Sequence, residues 1–148
     1  YPYPIVNNCL PHIDKFLENG YTKEEIKMID ETRKILRIPD LPVTATCVRV
    51  PVMNSHSVSI TAELERDFDL EELKEALGNF AGMVLVDDVN SNEYPLASDA
   101  TGQDKVLVGR VRRDFSTEKG INLWVVADNI RKGAATNAVQ IAELFRGM

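Results

Sequence analysis

Cysteine is scarce in this 148-residue chain. Only Cys9 and Cys47 are present, and neither has a second Cys or a His at zinc-ligand spacing. Two thiols are too few for a disulfide framework, which points to a reducing, cytoplasmic setting. Basic charge is also short: 17 Lys and Arg face 23 Asp and Glu, for a net charge of −6. Phosphate backbones are bound by clustered Lys and Arg, so this balance argues against a nucleic-acid partner. No apolar run approaches the roughly 18 residues of a membrane-spanning helix, and Tyr1-Pro2-Tyr3-Pro4-Ile5 lacks the charged and apolar regions of an export signal. A membrane role is not expected. Glycine numbers eight and never forms a dinucleotide-binding fingerprint, and no nucleophile elbow or metal-ligand cluster occurs. No complete active site can therefore be assembled from motifs alone.

What is present suits one domain with a core of its own, at 44% hydrophobic and 27% charged residues. Three prolines, Pro2, Pro4 and Pro11, mark the opening as irregular. Together with the start at Tyr1, they read as a connection entered from an upstream domain. Thr22-Lys-Glu-Glu25 is a capping box, in which hydroxyl and carboxylate satisfy orphan amides, and Ile26, Ile29 and Leu36 supply an apolar stripe. The pattern predicts a helix over 22–37, stopped before Pro39. Residues 43–52 and 56–66 are rich in β-branched side chains and predict two strands, the second with Val58, Ile60, Ala62 and Leu64 on one face.

Asp69-Leu-Glu-Glu72 opens a second expected helix that ends at Gly78. A short strand at 84–88 and a polar loop at 90–103 follow. Strands at 106–112 and 121–127 flank a turn at 116–120, and a closing helix at 130–146 carries Ala134, Ala138, Ile141, Ala142 and Phe145. This order predicts an α+β fold, a sheet covered by helices on one face. Val106, Val108, Val111, Leu123 and Val125 supply apolar strand surface for the other face, the expected homodimer interface.

Two residues invite a chemical reading on their own. Arg49 interrupts the apolar run 47–52, and a guanidinium there must find a carboxylate, a phosphate or solvent. A salt-bridged arginine on an edge strand is the plainer account. His56 follows after a short loop, and an imidazole with a near-neutral pKa suits proton transfer. A single histidine is more often structural.

Taken together, several ordered segments carry a resemblance. Pro11-His-Ile-Asp14, Glu18-Asn-Gly-Tyr-Thr-Lys-Glu-Glu25 with Lys27, and Glu31-Thr-Arg-Lys-Ile-Leu36 closely resemble the start of the catalytic domain of aspartate-semialdehyde dehydrogenases. Thr44-Ala-Thr-Cys-Val-Arg-Val-Pro-Val52 with His56-Ser57 is similar to that family's substrate-binding strand pair. Val108-Gly-Arg-Val-Arg-Arg-Asp114 and Asn122-Leu-Trp-Val-Val-Ala-Asp-Asn129, running on to Arg131-Lys-Gly-Ala-Ala135, resemble its later segments.

The resemblance implies a domain like the C-terminal one of the glyceraldehyde-3-phosphate dehydrogenase superfamily, dimeric through its sheet. It also implies an enzyme that uses NADP to reduce L-aspartyl 4-phosphate to aspartate semialdehyde through a cysteine thioester, on the way to lysine, threonine and methionine. By position, Arg49 matches the arginine gripping the substrate α-carboxylate, Glu24 the acid meeting its amino group, and Lys27 the lysine of the phosphate site. His56 matches the general base, and Asn129 an asparagine near the nicotinamide amide, with a helix N-cap as its plainer role. The family's nucleophilic cysteine and glycine loop lie upstream of all these segments, so Cys9 and Cys47 are expected to be buried small hydrophobes. The isolated chain is expected to be inactive. A free-standing dimerisation module and an N-acetyl-glutamyl-phosphate reductase-like domain are the rival readings.

Overall fold

The computed structural model describes residues 1–146, and the chain divides into two compact units, Tyr1–Val52 and Met53–Met148. The first is built around α1, Lys23–Leu36. Thr22 caps it as its spacing predicts: the hydroxyl accepts from the Glu25 N–H while the Glu25 carboxylate accepts from the Thr22 N–H. Glu24 and Glu25 sit at the positive end of the helix dipole and Arg33 and Lys34 at the negative end. Arg37 adopts φ +58 and turns the chain out, its N–H reaching the carbonyls of Arg33 and Lys34.

The strand expected over 43–52 does not form. The segment is extended, with half-buried Val43, Ala45 and Cys47 alternating with exposed neighbours, but only Arg49 forms a bridge, to Leu10. Alternation dictates an extended chain; a strand also needs a neighbour to receive its bonds, and Pro42 and Pro51 have no N–H to offer.

The second unit is a four-stranded mixed sheet in the order β1-β4-β3-β2. β1 (His56–Glu63) pairs antiparallel with β4 (Gly120–Ala127), β4 antiparallel with β3 (Val106–Arg113), and β3 parallel with the short β2 (Met83–Leu85). Alternate side chains form two clusters. Val108, Val111 and Ile121 pack with Met83, Leu85, Leu123 and Val125 against Leu70, Leu73 and Leu77 of α2, Leu70–Asn79. Leu107 and Val126 pack with Val84, Val86 and Trp124 against Ala97 and Ala100 of α3, Ala97–Ala100.

Helices therefore touch both faces of the sheet, not one, because the polar loop expected at 90–103 contains α3. The valines expected to form an open dimer face are also reassigned: Val108 and Val111 are buried core beneath α2.

Gly109 is required where β3 passes the 86–95 loop. A Cβ there would stand 2.1 Å from the Val86 carbonyl oxygen and 2.6 Å from Pro95 Cδ. The next residue, Arg110, has φ +53, and the β3–β4 register shifts between Gly109 and Arg112. Asp87 fills this bulge, its carboxylate accepting from the N–H groups of Arg110 (2.6 Å) and Val111 (3.3 Å), with Lys74 Nζ 3.6 Å away.

The closing helix begins with a π-turn, Arg131–Ala135, before α4, Thr136–Arg146. Its apolar residues Val139, Ile141, Leu144 and Phe145 are all exposed. Among the described residues, no helix is long and apolar enough to cross a membrane.

Candidate active site

The first unit holds Glu24, Lys27 and Arg49. The i,i+3 spacing on α1 brings Glu24 and Lys27 to 3.3 Å, with the lysine about half exposed and the glutamate about one third. Arg49 is held by its backbone: its N–H donates to the Leu10 carbonyl (2.8 Å) and its carbonyl accepts from the Leu10 N–H (2.9 Å). The exposed guanidinium lies 5.9 Å from the centre of the Tyr1 ring. Among the described residues no carboxylate lies within ion-pair distance of it, so the plainer account of a salt-bridged arginine does not hold. A cation with a pinned backbone and an open head can receive an anion.

Beside it, Cys47 is half-buried, and burial pushes its thiol pKa up, with the negative charges of Glu25 and Glu24 adding to the rise. A nucleophilic cysteine needs the reverse, a stabilised thiolate. Cys9 is exposed, contrary to the buried role expected of it. Glu25 was legible only as half of the capping box. Its other carboxylate oxygen accepts from the Cys47 N–H at 2.9 Å, a contact with no local sequence signal. Hydrogen bonds from the Thr22 and Cys47 amides hold its pKa below the usual carboxylate range.

The second unit holds His56 and Asn129. His56 opens β1 opposite Ala127, with its side chain exposed. The residue before it, Ser55, is buried and left-handed at φ +75, a conformation an L side chain rarely takes. Two contacts fix it: its N–H donates to Asn129 Oδ1 at 3.2 Å, and its hydroxyl meets that of Thr101 at 3.3 Å.

Capping of the π-turn falls to Asp128, and Asn129 does not act as the N-cap. The buried Asp128 carboxylate accepts from the N–H groups of Gly102 (2.8 Å), Ile130 (2.9 Å) and Arg131 (3.1 Å). The Gly102 contact is the largest of the causes that lower its pKa. Arg131 in turn grips Asp104 with two bonds of 2.7 and 2.9 Å. Neither Ser55 nor Asp128 stood out in the sequence: the positive φ of Ser55 and the bond from Asp128 to Gly102, 26 positions away, both depend on distant neighbours. π-turns of this kind are often found at functional sites.

Among the described residues, no group of three His, Cys, Asp or Glu side chains could hold a metal ion. The first unit thus presents an open guanidinium and an acid–lysine pair on one helical turn, groups that can meet an anion and a cation. The second presents an exposed imidazole on a braced backbone, a group able to exchange a proton.

The aspartate-semialdehyde dehydrogenase of Aquifex aeolicus is 56% identical over 145 residues, covering 98% of this chain and 43% of the relative. That of Bacillus subtilis is 51% identical, covering 97% and 42%. A crystal structure of aspartate semialdehyde dehydrogenase II from Vibrio cholerae, complexed with ASA, superposes with a TM-score of 0.91 at 51% identity, over 97% of this chain and 42% of that one. The chain thus spans about two fifths of the length of the relatives it matches. The family model for the semialdehyde dehydrogenase dimerisation domain matches residues 1–132. With the mixed α+β sheet, the sequence identity and the family model in agreement, this chain belongs to the semialdehyde dehydrogenase dimerisation-domain family.

Proposed function

We propose that this chain is the substrate-binding and dimerisation part of an NADP-dependent aspartate-semialdehyde dehydrogenase, with a domain like the C-terminal one of the glyceraldehyde-3-phosphate dehydrogenase superfamily. The observation that carries the reading is Arg49, an exposed guanidinium with no carboxylate partner among the described residues and a backbone fixed by two bonds to Leu10. Its planar fork suits the α-carboxylate of aspartyl phosphate. Glu24 meets the substrate ammonium, and Lys27 attracts the phosphate that leaves. His56 takes the proton from the nucleophilic thiol and returns one later.

The raised Cys47 thiol pKa argues against Cys47 as the nucleophile, and the family pattern puts the nucleophilic cysteine upstream of the segments matched here. NADPH, when bound, supplies the hydride that reduces the acyl group to the aldehyde. The residues here fit only one edge of such a cofactor. Asn129, its carbonyl oxygen engaged by the Ser55 N–H, would offer its amide nitrogen to a nicotinamide carboxamide, while the phosphates would need a glycine loop that this chain lacks. The isolated chain is accordingly inactive. The protein works in the cytoplasm as a homodimer, on a step toward lysine, threonine and methionine.

Arg49→Lys in the full-length protein tests the reading. A clamp that loses its fork loses both orientation and binding, so kcat/KM should fall about tenfold or more, equivalent to about 1.4 kcal/mol, with the melting temperature within a few degrees of the parent. Unaltered kinetics with a large fall in melting temperature would make Arg49 structural and overturn the proposal.

A further inference from the structure

Glu25 is the group in the first unit that the proposed chemistry leaves unused. It is a buried carboxylate one residue from Glu24 and two from Lys27, and each of its oxygens has its own partner. Oε2 accepts from the Thr22 N–H at 2.8 Å, which completes the capping box. A helix needs nothing more from this position, and glutamine would serve it as well. Oε1 accepts from the Cys47 N–H at 2.9 Å, 22 positions away. Among the described residues, this is the only hydrogen bond made by a backbone group of residues 42–48, a segment with no ladder to hold it. Arg49 follows two residues later.

We infer that Glu25 is a positioning residue, which fastens the segment bearing Arg49 to the helical turn bearing Glu24 and Lys27. On the proposed function, on which this inference rests, the tie sets the spacing at which the substrate's carboxylate and ammonium groups are met together. The Leu10 bridge pins the backbone of Arg49 itself and the Glu25 bond holds the chain two residues before it, so the side chain samples a narrower volume. Pre-organisation of this kind acts on binding of the two-charged end of the substrate and leaves the cofactor untouched.

Two substitutions in the full-length enzyme break the tie from opposite ends. Glu25→Gln keeps one oxygen and sets an amide donor against the other N–H, whereas Cys47→Pro deletes only the Cys47 N–H and keeps the capping box intact. Thr22→Ala is the control: it removes the hydroxyl that caps the Glu25 N–H and weakens the helix start, but leaves both carboxylate bonds in place. Kinetics are read in the direction that oxidises aspartate semialdehyde, with phosphate and NADP. Both tie-breaking variants should raise the semialdehyde KM about tenfold, the scale of one lost bond to a charged group, with the NADP KM unchanged. Thr22→Ala should leave the semialdehyde KM within about twofold, even where its melting temperature falls as far as theirs.

Equal KM changes in all three variants, or no change in Glu25→Gln and Cys47→Pro, would overturn the assignment. A parent enzyme without semialdehyde-dependent NADP reduction would instead overturn the proposed function and this inference with it. A parent whose KM responds to Arg49→Lys but not to loss of the tie would overturn the inference alone.

Discussion

The bracing of His56 can be tested by removing its brace and then removing the need for it. Ser55 sits at φ +75, where a non-glycine residue is disfavoured by about 1–2 kcal/mol. Against that cost stands the bond from its N–H to Asn129, contributing about 0.5–1.5 kcal/mol net, together with the hydroxyl contact to Thr101. Asn129→Ala removes the larger contact and frees Ser55 to relax toward an extended backbone, which would turn the start of β1 and the imidazole with it. A shift of about 1 kcal/mol lowers the ratio of competent to relaxed backbone about fivefold, and kcat should fall by up to that factor if only the competent population transfers the proton. Glycine takes φ +75 without the steric cost. Ser55→Gly added to Asn129→Ala should therefore restore kcat to within about twofold of the parent.

The assay is NADPH formation by the full-length enzyme at saturating semialdehyde and phosphate. Any rise in the NADP KM that persists in the double variant reports the amide's own contact with the cofactor. A double variant as slow as Asn129→Ala at saturating NADP would refute the brace and show that the asparagine acts on catalysis by another route.

His56→Ala should lower kcat by roughly 10²–10⁴-fold with little change in the semialdehyde KM, since acid–base help acts in the transition state; an unchanged kcat would remove His56 from the mechanism. Asp104 should report in acid: its bonds to Arg131, then to Thr136, hold its pKa down from 3.8 to about 2. A depressed carboxylate stabilises the fold above its unfolded pKa and loses that contribution as pH falls through the folded value. The melting-temperature gap between the parent and Asp104→Asn should therefore be full above about pH 4 and close toward pH 2, and a gap that stays constant across this window would remove the ion pair as its source.

The sequence by itself determined whatever depends on near neighbours. The Thr22–Glu25 capping box set the start of α1, the Asp69 cap set the start of α2, and strand-forming runs marked β1, β3 and β4, with clean alternation in β1. The proposed site residues came from a family resemblance, and the guanidinium of Arg49 could be posed as a choice between a salt bridge and a substrate. Tertiary structure decided everything that needs a distant partner. Residues 43–52 have the composition of a strand yet remain single, because β propensity extends a chain but cannot supply the neighbour that receives its bonds. The apolar positions of β3 were plain in the sequence, but which face α2 would cover was not, and so Val108 and Val111 became core instead of interface. Ser55 carries no local signal for φ +75; Asn129 and Thr101, 74 and 46 positions away, hold it there. Glu25 shows the division within one side chain: one oxygen serves the helix three residues back, as a local pattern foretells, while the other reaches 22 residues forward to Cys47, a contact that exists only once the chain has folded back upon itself.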